Sequence, residues 1–274
     1  MMNIIVCFKV VPDLDMLSYS DWVVDNHYKI DTSFVKNMIN PYDESALELI
    51  LKFKDLVQNE KIALALTALT IGDSRSNRVL KNLFALKYDK AVRVDCEADI
   101  RFNVPFITEI IARYLENNEK QQIIVLGSQS GEGDNGRTPF LLAERLGIPC
   151  VSGVVNIEPT GEEDYLKITS DTEDVIMEQV LRTPLILAVG NVQNSYMRVP
   201  TLKEKMASKD KEVETIYLED LGIEKASIEA ENDLELVDLY YEKEERVCHF
   251  ITGHSAADKA QVLFKKYLKE KLNL

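Results

Sequence analysis

The residues best placed to do chemistry in this chain follow the apolar run Ile123-Ile124-Val125-Leu126. They form a loop carrying Gly127, Gly131, Gly133 and Gly136, then Arg137 and Thr138. A helical pattern starts near Thr138, with Phe140, Leu141, Ala143, Glu144 and Leu146 in sequence. Strand, glycine-rich turn and helix in that order make a site for phosphate. Glycines let the backbone approach a ligand and turn sharply, and the unpaired N–H groups and dipole at a helix start favour an anion. Asp134 and Asn135 are turn formers, and Arg137 is a cation that can meet a phosphate directly. The spacing is neither the Walker A pattern nor the GxGxxG pattern, so composition alone also leaves open a loop of this build that binds nothing.

Other chemistries find little support. His27, His249 and His254 stand in no metal-ligand spacing, and no GxSxG nucleophile elbow or catalytic triad is evident. Cys7, Cys96, Cys150 and Cys248 are scattered without a CxxC pair, which argues against zinc and disulfide frameworks. Cys7 and Cys150 lie in apolar runs and read as buried thiols. With 32 basic against 46 acidic residues the chain carries a net charge of −14, which opposes nucleic-acid binding. Hydrophobic residues make up 46% of 274, enough for a large core. No apolar run approaches the ~20 residues of a membrane span. The opening Met1-Met2-Asn3-Ile4-Ile5-Val6-Cys7 lacks the basic start of a signal peptide, so a cytoplasmic protein is expected.

Alternating patterns must position the loop. Residues 3–8 read as a strand, and Asp13 to about Ile39 as a long loop or hairpin. Asn40-Pro41-Tyr42-Asp43-Glu44 opens a helix with Asp43 as its expected N-cap. Residues 63–71 form the next strand, 75–87 a helix, 91–94 a short strand, and Phe106, Ile107, Ile110, Ile111 and Tyr114 mark another helix before Ile123. This β-α alternation predicts a doubly wound, mostly parallel sheet with helices on both faces. Ligands on such sheets bind at the carboxyl ends of strands near the point where strand order reverses, so the loops after Cys7, Ile71 and Gly127 can converge on one crevice. Residues 149–157, 165–170 and 175–181 suggest an antiparallel extension, and 184–189 one more buried strand. The acidic 222–247 stretch reads as an arm and 258–272 as a last amphipathic helix. The expected division is a nucleotide-binding α/β part over 1–190 and a partner-docking loop and C-terminal arm over 191–274.

These features together resemble the beta subunit of electron transfer flavoproteins over nearly the whole chain. Asn3 to Asp13 looks like that family's opening strand and its Val-Pro-Asp turn. Ile39 to Glu44 is similar to its Asn-Pro helix start, Leu83 to Ala91 to the segment before its next strand, and Leu126 to Pro149 to its nucleotide loop and helix. The resemblance implies a Rossmann-like fold and a heterodimer with an alpha subunit that holds FAD. It implies a second adenine nucleotide in the beta subunit, AMP or, in electron-bifurcating members, a second FAD reduced by NADH. Carried over by position, Cys7, Asn40 and Ile71 would line the adenosine part, and Asp134, Gly136, Arg137 and Thr138 would hold phosphate; Gly127, Gly131 and Asn135 of the same loop are the further expected cofactor-binding residues.

The resemblance also implies a docking segment for a flavin-linked dehydrogenase, such as an acyl-CoA dehydrogenase, over Tyr196 to Met206. Leu202 would be its anchor, with Arg198, Lys203 and Lys205 around it. An exposed leucine ringed by cations suits a hot spot with a steering rim; the alternative is a surface helix folded back with Leu202 buried. The chain departs from the family pattern at Thr169 to Asp174, at Gln193 to Arg198, and at Arg137, where a cation suits a diphosphate as well as a monophosphate. These departures and the long tail from Val237 to Leu274 resemble an anaerobe-type, electron-bifurcating branch. Two rivals remain at this level: a stand-alone enzyme using an adenine nucleotide, with Asp73 and Asp134 as metal-binding carboxylates, and a non-redox nucleotide-binding scaffold.

Overall fold

Apolar runs with no polar interruption become strands buried on both faces, as in Ile4–Cys7, Ile123–Leu126 and Leu185–Val189. A computed structural model describes all residues except 59–61, 163, 173, 191, 193–195, 225–233, 235, 241–247, 270 and 273–274. The chain divides into two compact units, Met1–Leu239 and Tyr240–Leu274. The first unit runs β1 (Met2–Cys7), β2 (Val10–Pro12), β3 (Asn37–Ile39), α1 (Pro41–Val57), β4 (Leu64–Gly72), α2 (Asn77–Ala85), β5 (Lys90–Asp95) and α3 (Val104–Glu116). It continues through β6 (Ile123–Gly127), α4 (Thr138–Leu146), β7 (Cys150–Pro159), β8 (Tyr165–Asp171), β9 (Ile176–Arg182), β10 (Leu185–Val189), α5 (Leu202–Ala207) and β11 (Glu214–Tyr217).

Nine strands form one sheet in the order β11-β5-β4-β1-β6-β10-β7-β8-β9. From β11 to β7 every neighbouring pair is parallel, and β8 and β9 add on antiparallel. The doubly wound, mostly parallel expectation therefore holds, with one refinement. β7 is parallel to β10 on one side and antiparallel to β8 on the other, so it joins the two parts of the sheet. Alternation along β1 feeds two cores: Ile4 and Val6 pack with α1 and α2, while Ile5 and Cys7 pack with α3. Ile4, Ile5 and Val6, each fully buried, contribute about 1.5–3 kcal/mol apiece.

Several elements differ from the sequence-based expectation. Asn40, not Asp43, stands at the N-cap position of α1, because Pro41 takes the first helical place. Asp43 lies inside the first turn. The helix expected over 75–87 is a 3-10 turn, Ser74–Ser76, followed by α2. Asp73 turns the chain into it by accepting from the Arg75 N–H at 2.8 Å. The 13–39 excursion is bounded by the short antiparallel pair β2–β3 and holds 3-10 turns at Leu14–Met16 and Tyr19–Asp21. β11 is an added strand. Four residues are too few to show a period, and pairing with β5 makes it a strand.

In the second unit, α6 (Ala256–Leu263) starts at Ser255, whose hydroxyl accepts from the Asp258 N–H at 3.1 Å. It passes into a π-helical turn, Phe264–Leu268, so the single helix expected over 258–272 is two helical forms in series. Much of the 222–247 arm, with Gln193 to Ser195 and Glu173, lies outside the described residues.

Candidate functional site

The chain lays β4 and then β5 to one side of β1 and returns to place β6 on the other. Strand order reverses there, and at the carboxyl ends of β1, β4, β5 and β6 lies a cavity of about 350 Å³. That volume falls within the range of small-ligand sites. Its floor is apolar, with Cys7, Ile71, Ile107 and Leu126, and its rim is polar, with Ser128, Asn135 and Thr138. Thr138 starts the nine-residue α4, so a helix N-terminus faces the same space.

Side chains from the start of α1 hold the loop in shape. Asp43 is buried, and one carboxylate oxygen accepts from the Gly127 N–H at 2.8 Å. The other accepts from the Lys9 N–H at 2.8 Å and from Asn40 Nδ2 at 3.1 Å. One carboxylate thus ties together the ends of β1, β6 and α1. Burial outweighs these hydrogen bonds and lifts the Asp43 carboxyl to about 6. Burial, followed by the nearby Asp43 charge, also pushes the Cys7 thiol well up, which keeps it protonated at neutral pH. Asn40 is fully buried; its Nδ2 also donates to the Gln129 carbonyl at 2.8 Å, and its Oδ1 accepts from the Gly131 N–H at 3.3 Å.

Two glycines are required by close approach. A Cβ on Gly127 would collide with the Asp43 carboxylate, lying 2.8 Å from Tyr42 Cβ and 2.9 Å from the Asp43 nitrogen. Gly133 has φ +82°, and a Cβ there would sit 2.5 Å from the Arg101 carbonyl oxygen. Gly133 therefore seats the glycine-rich loop against the segment after β5. Three cations on the cavity wall are paired. Lys9 Nζ donates to the Glu132 carbonyl at 2.8 Å and lies 3.5 Å from its carboxylate. Arg75 holds Asp73 at 2.7 Å, and Arg101 holds Asp99 at 2.7 Å. The Arg101 guanidinium keeps the Asp99 carboxyl at about 2.

Of the residues singled out from sequence, Cys7, Ile71, Gly127, Asn135, Gly136 and Thr138 meet on the cavity wall. Asn40 and Gly131 meet behind it, in the hydrogen bond above. Asp134 is exposed at φ +30°, and Arg137 occupies the N-cap position of α4, both on the same loop but off the wall. Sequence reasoning missed the segment Cys96 to Arg101, which closes one side of the cavity. It follows β5, and the rule that ligands gather at carboxyl strand ends could have found it.

Far along the chain, Leu202 is 78% exposed at the start of α5, and Tyr196, Val199 and Met206 are exposed around it. Lys203 and Lys205 are exposed as well, whereas Arg198 is bound to Glu48 and Asp55. Leu202 is thus not folded back into a core.

A family model described as the electron transfer flavoprotein domain matches residues 28–221. This chain belongs to the electron transfer flavoprotein family. Among its curated relatives is YgcR of Escherichia coli (strain K12), a provisionally named electron transfer flavoprotein subunit, 30% identical over 99% of both chains. Others are named electron transfer flavoprotein subunit beta. That of Bacillus subtilis (strain 168) is 26% identical over 93% of both chains, and that of Clostridium acetobutylicum is 29% identical over 83% of both. The beta-subunit resemblance of the motifs is therefore matched along almost the full length of the fold. No helix among the described residues is long and apolar enough to cross a membrane.

Proposed function

We propose that this chain is the nucleotide-holding, partner-docking subunit of a heterodimeric electron transfer flavoprotein. The single observation that carries this reading is the cavity where strand order reverses, rimmed by the glycine-rich loop and the start of α4. Its residues fit an adenine nucleotide. The apolar floor around Cys7 and Ile71 suits a base, and Gly136 and Thr138, at the start of α4, suit a phosphate. The nucleotide is AMP or, in a bifurcating type fed by NADH, a second FAD. When bound, the flavin supplies the redox chemistry. This chain's own residues bind, orient and exclude water; no acid–base step is assigned to them. An alpha subunit would hold the redox FAD, and α5 with Leu202, Lys203 and Lys205 would dock on an acyl-CoA or other flavin-linked dehydrogenase in the cytoplasm. Labour divides between residues 1–190, which hold nucleotide, and 191–274, which meet partners.

Co-expression with the alpha partner tests the reading. The expected product is a yellow heterodimer whose denaturation releases one FAD and one AMP, or two FAD for the bifurcating type. A colourless chain that releases no adenine nucleotide and forms no heterodimer would overturn it.

A further inference from the structure

We infer that Glu48 and Asp55 of α1, acting through Arg198, are positioning residues that hold the exposed 199–208 segment in the shape a partner meets. The inference rests on the docking reading above and adds the device that sets its geometry.

Glu44, Glu48 and Asp55 recur at helical spacing and lie along one stripe of α1. The chain after β10 runs across that stripe. The Met197 N–H donates to Glu44 Oε1 at 3.2 Å, and the Arg198 N–H to Glu48 Oε2 at 3.0 Å. The Arg198 guanidinium then grips Glu48 through Nε at 3.0 Å and Nη2 at 2.8 Å, and reaches Asp55 through Nη1 at 2.7 Å. Glu48 is 4% exposed. A carboxylate that deeply covered is costly unless paired, so Arg198 is committed to α1 rather than free to meet a partner. The planar guanidinium fixes direction as well as distance, which a lysine ammonium does not.

The far end of the segment is also fixed. Lys211 Nζ donates to the Tyr88 carbonyl at 3.5 Å and sits 5.2 Å from the centre of the Phe84 ring. Between the two anchors, Thr201 and Glu204 cap α5 reciprocally, the Glu204 carboxylate accepting from the Thr201 N–H at 2.7 Å. α5 has only six residues and buries none of them, so it has little of its own to keep it helical. Val199, Leu202 and Met206 remain exposed along this strap. The strap is held by these anchors, by α5 lying against α2, and by Met197 and Val213 packing on the core; the α1 anchor is the ionic one.

The test uses the full chain in its heterodimer, with hydrogen exchange as the first readout. Glu48→Gln and Arg198→Lys are expected to speed exchange of the 199–208 amides about tenfold while the 127–138 amides are unchanged. Asp55→Asn, at an exposed site, is expected to do so about twofold and guards against a variant that fails to fold. With an acyl-CoA dehydrogenase as electron donor, the first two variants should raise KM roughly fivefold with kcat within about twofold. Unchanged exchange at 199–208, or an equal rise in both segments, overturns the inference. Leu202→Ala is the control: it should raise KM without altering exchange. If KM does not respond to Leu202→Ala, the docking reading fails, while the exchange data still decide whether the α1 anchor orders the strap.

Discussion

The cavity and the 196–211 strap are both held by acidic residues of α1, and they are held in opposite ways. At the cavity, Asp43 is buried and satisfied by backbone N–H groups of Lys9 and Gly127, with the Asn40 amide beside them. At the strap, Glu48 and Asp55 are satisfied chiefly by one guanidinium, half in solvent. Two backbone donors at the ends of separate strands cannot move without moving the fold. A guanidinium on a surface loop can. One helix therefore fixes a rigid, close-fitting site at its first turn and holds an exposed, ion-paired presentation surface along its side.

Substitutions can break this comparison, and the largest expected effect is at Gly127. Gly127→Ala should cost about 3 kcal/mol or more in urea denaturation, because the new methyl meets backbone and the buried carboxylate rather than a flexible side chain. A cost under ~1 kcal/mol would mean the cavity is not the rigid region.

The Asp43 carboxyl gives a pH signature. Its pKa is raised from 3.8 to about 6 in the folded chain, so the folded state holds the proton more tightly than the unfolded one. The stability it contributes is full below pH ~4 and is lost as pH rises through ~6, a change of about 3 kcal/mol. Asp43→Asn should flatten that part of the stability–pH curve, whereas Asp55→Asn should leave it in place. An unaltered slope in Asp43→Asn would refute the assignment.

A smaller effect is expected at Asn40. Asn40→Ala removes the amide that joins α1 to Gln129 and Gly131 and should cost about 2 kcal/mol. Affinity for the adenine nucleotide proposed for the cavity, read with AMP by equilibrium dialysis, should fall at least about tenfold, and exchange at 199–208 should stay as it was. Faster exchange there would show the two regions to be coupled. The smallest stability effect belongs to Leu202→Ala, within ~0.5 kcal/mol of the parent by the same denaturation, since the side chain is exposed.

Much of the fold was legible. Short β-branched apolar runs at Ile4–Cys7, Ile123–Leu126 and Leu185–Val189 read as buried strands, and their alternation with amphipathic helices favours crossovers and hence parallel neighbours. The glycine-rich loop was legible too, because strand, glycines and helix start are contiguous. The bracing role of Asp43 was not legible because its partners, Lys9 and Gly127, are 34 and 84 residues away. Arg198 read as a docking cation because its partner Glu48 is 150 residues away, and local composition carries no trace of a pairing across that distance. β11 escaped because four residues show no period.

The sequence by itself determined the fold class, the loop that borders the cavity, and the likeness to electron transfer flavoprotein beta subunits. Those follow from hydrophobic period, turn chemistry and motif order, all of which act over a few residues at a time. The tertiary structure alone decided that Asn40 and Asp43 brace the loop from behind, that the segment after β5 closes the cavity, and that Arg198 belongs to α1. Hydrogen bonds and ion pairs of that kind depend on where strand ends arrive in space, and the order of strands in the sheet sets that arrival.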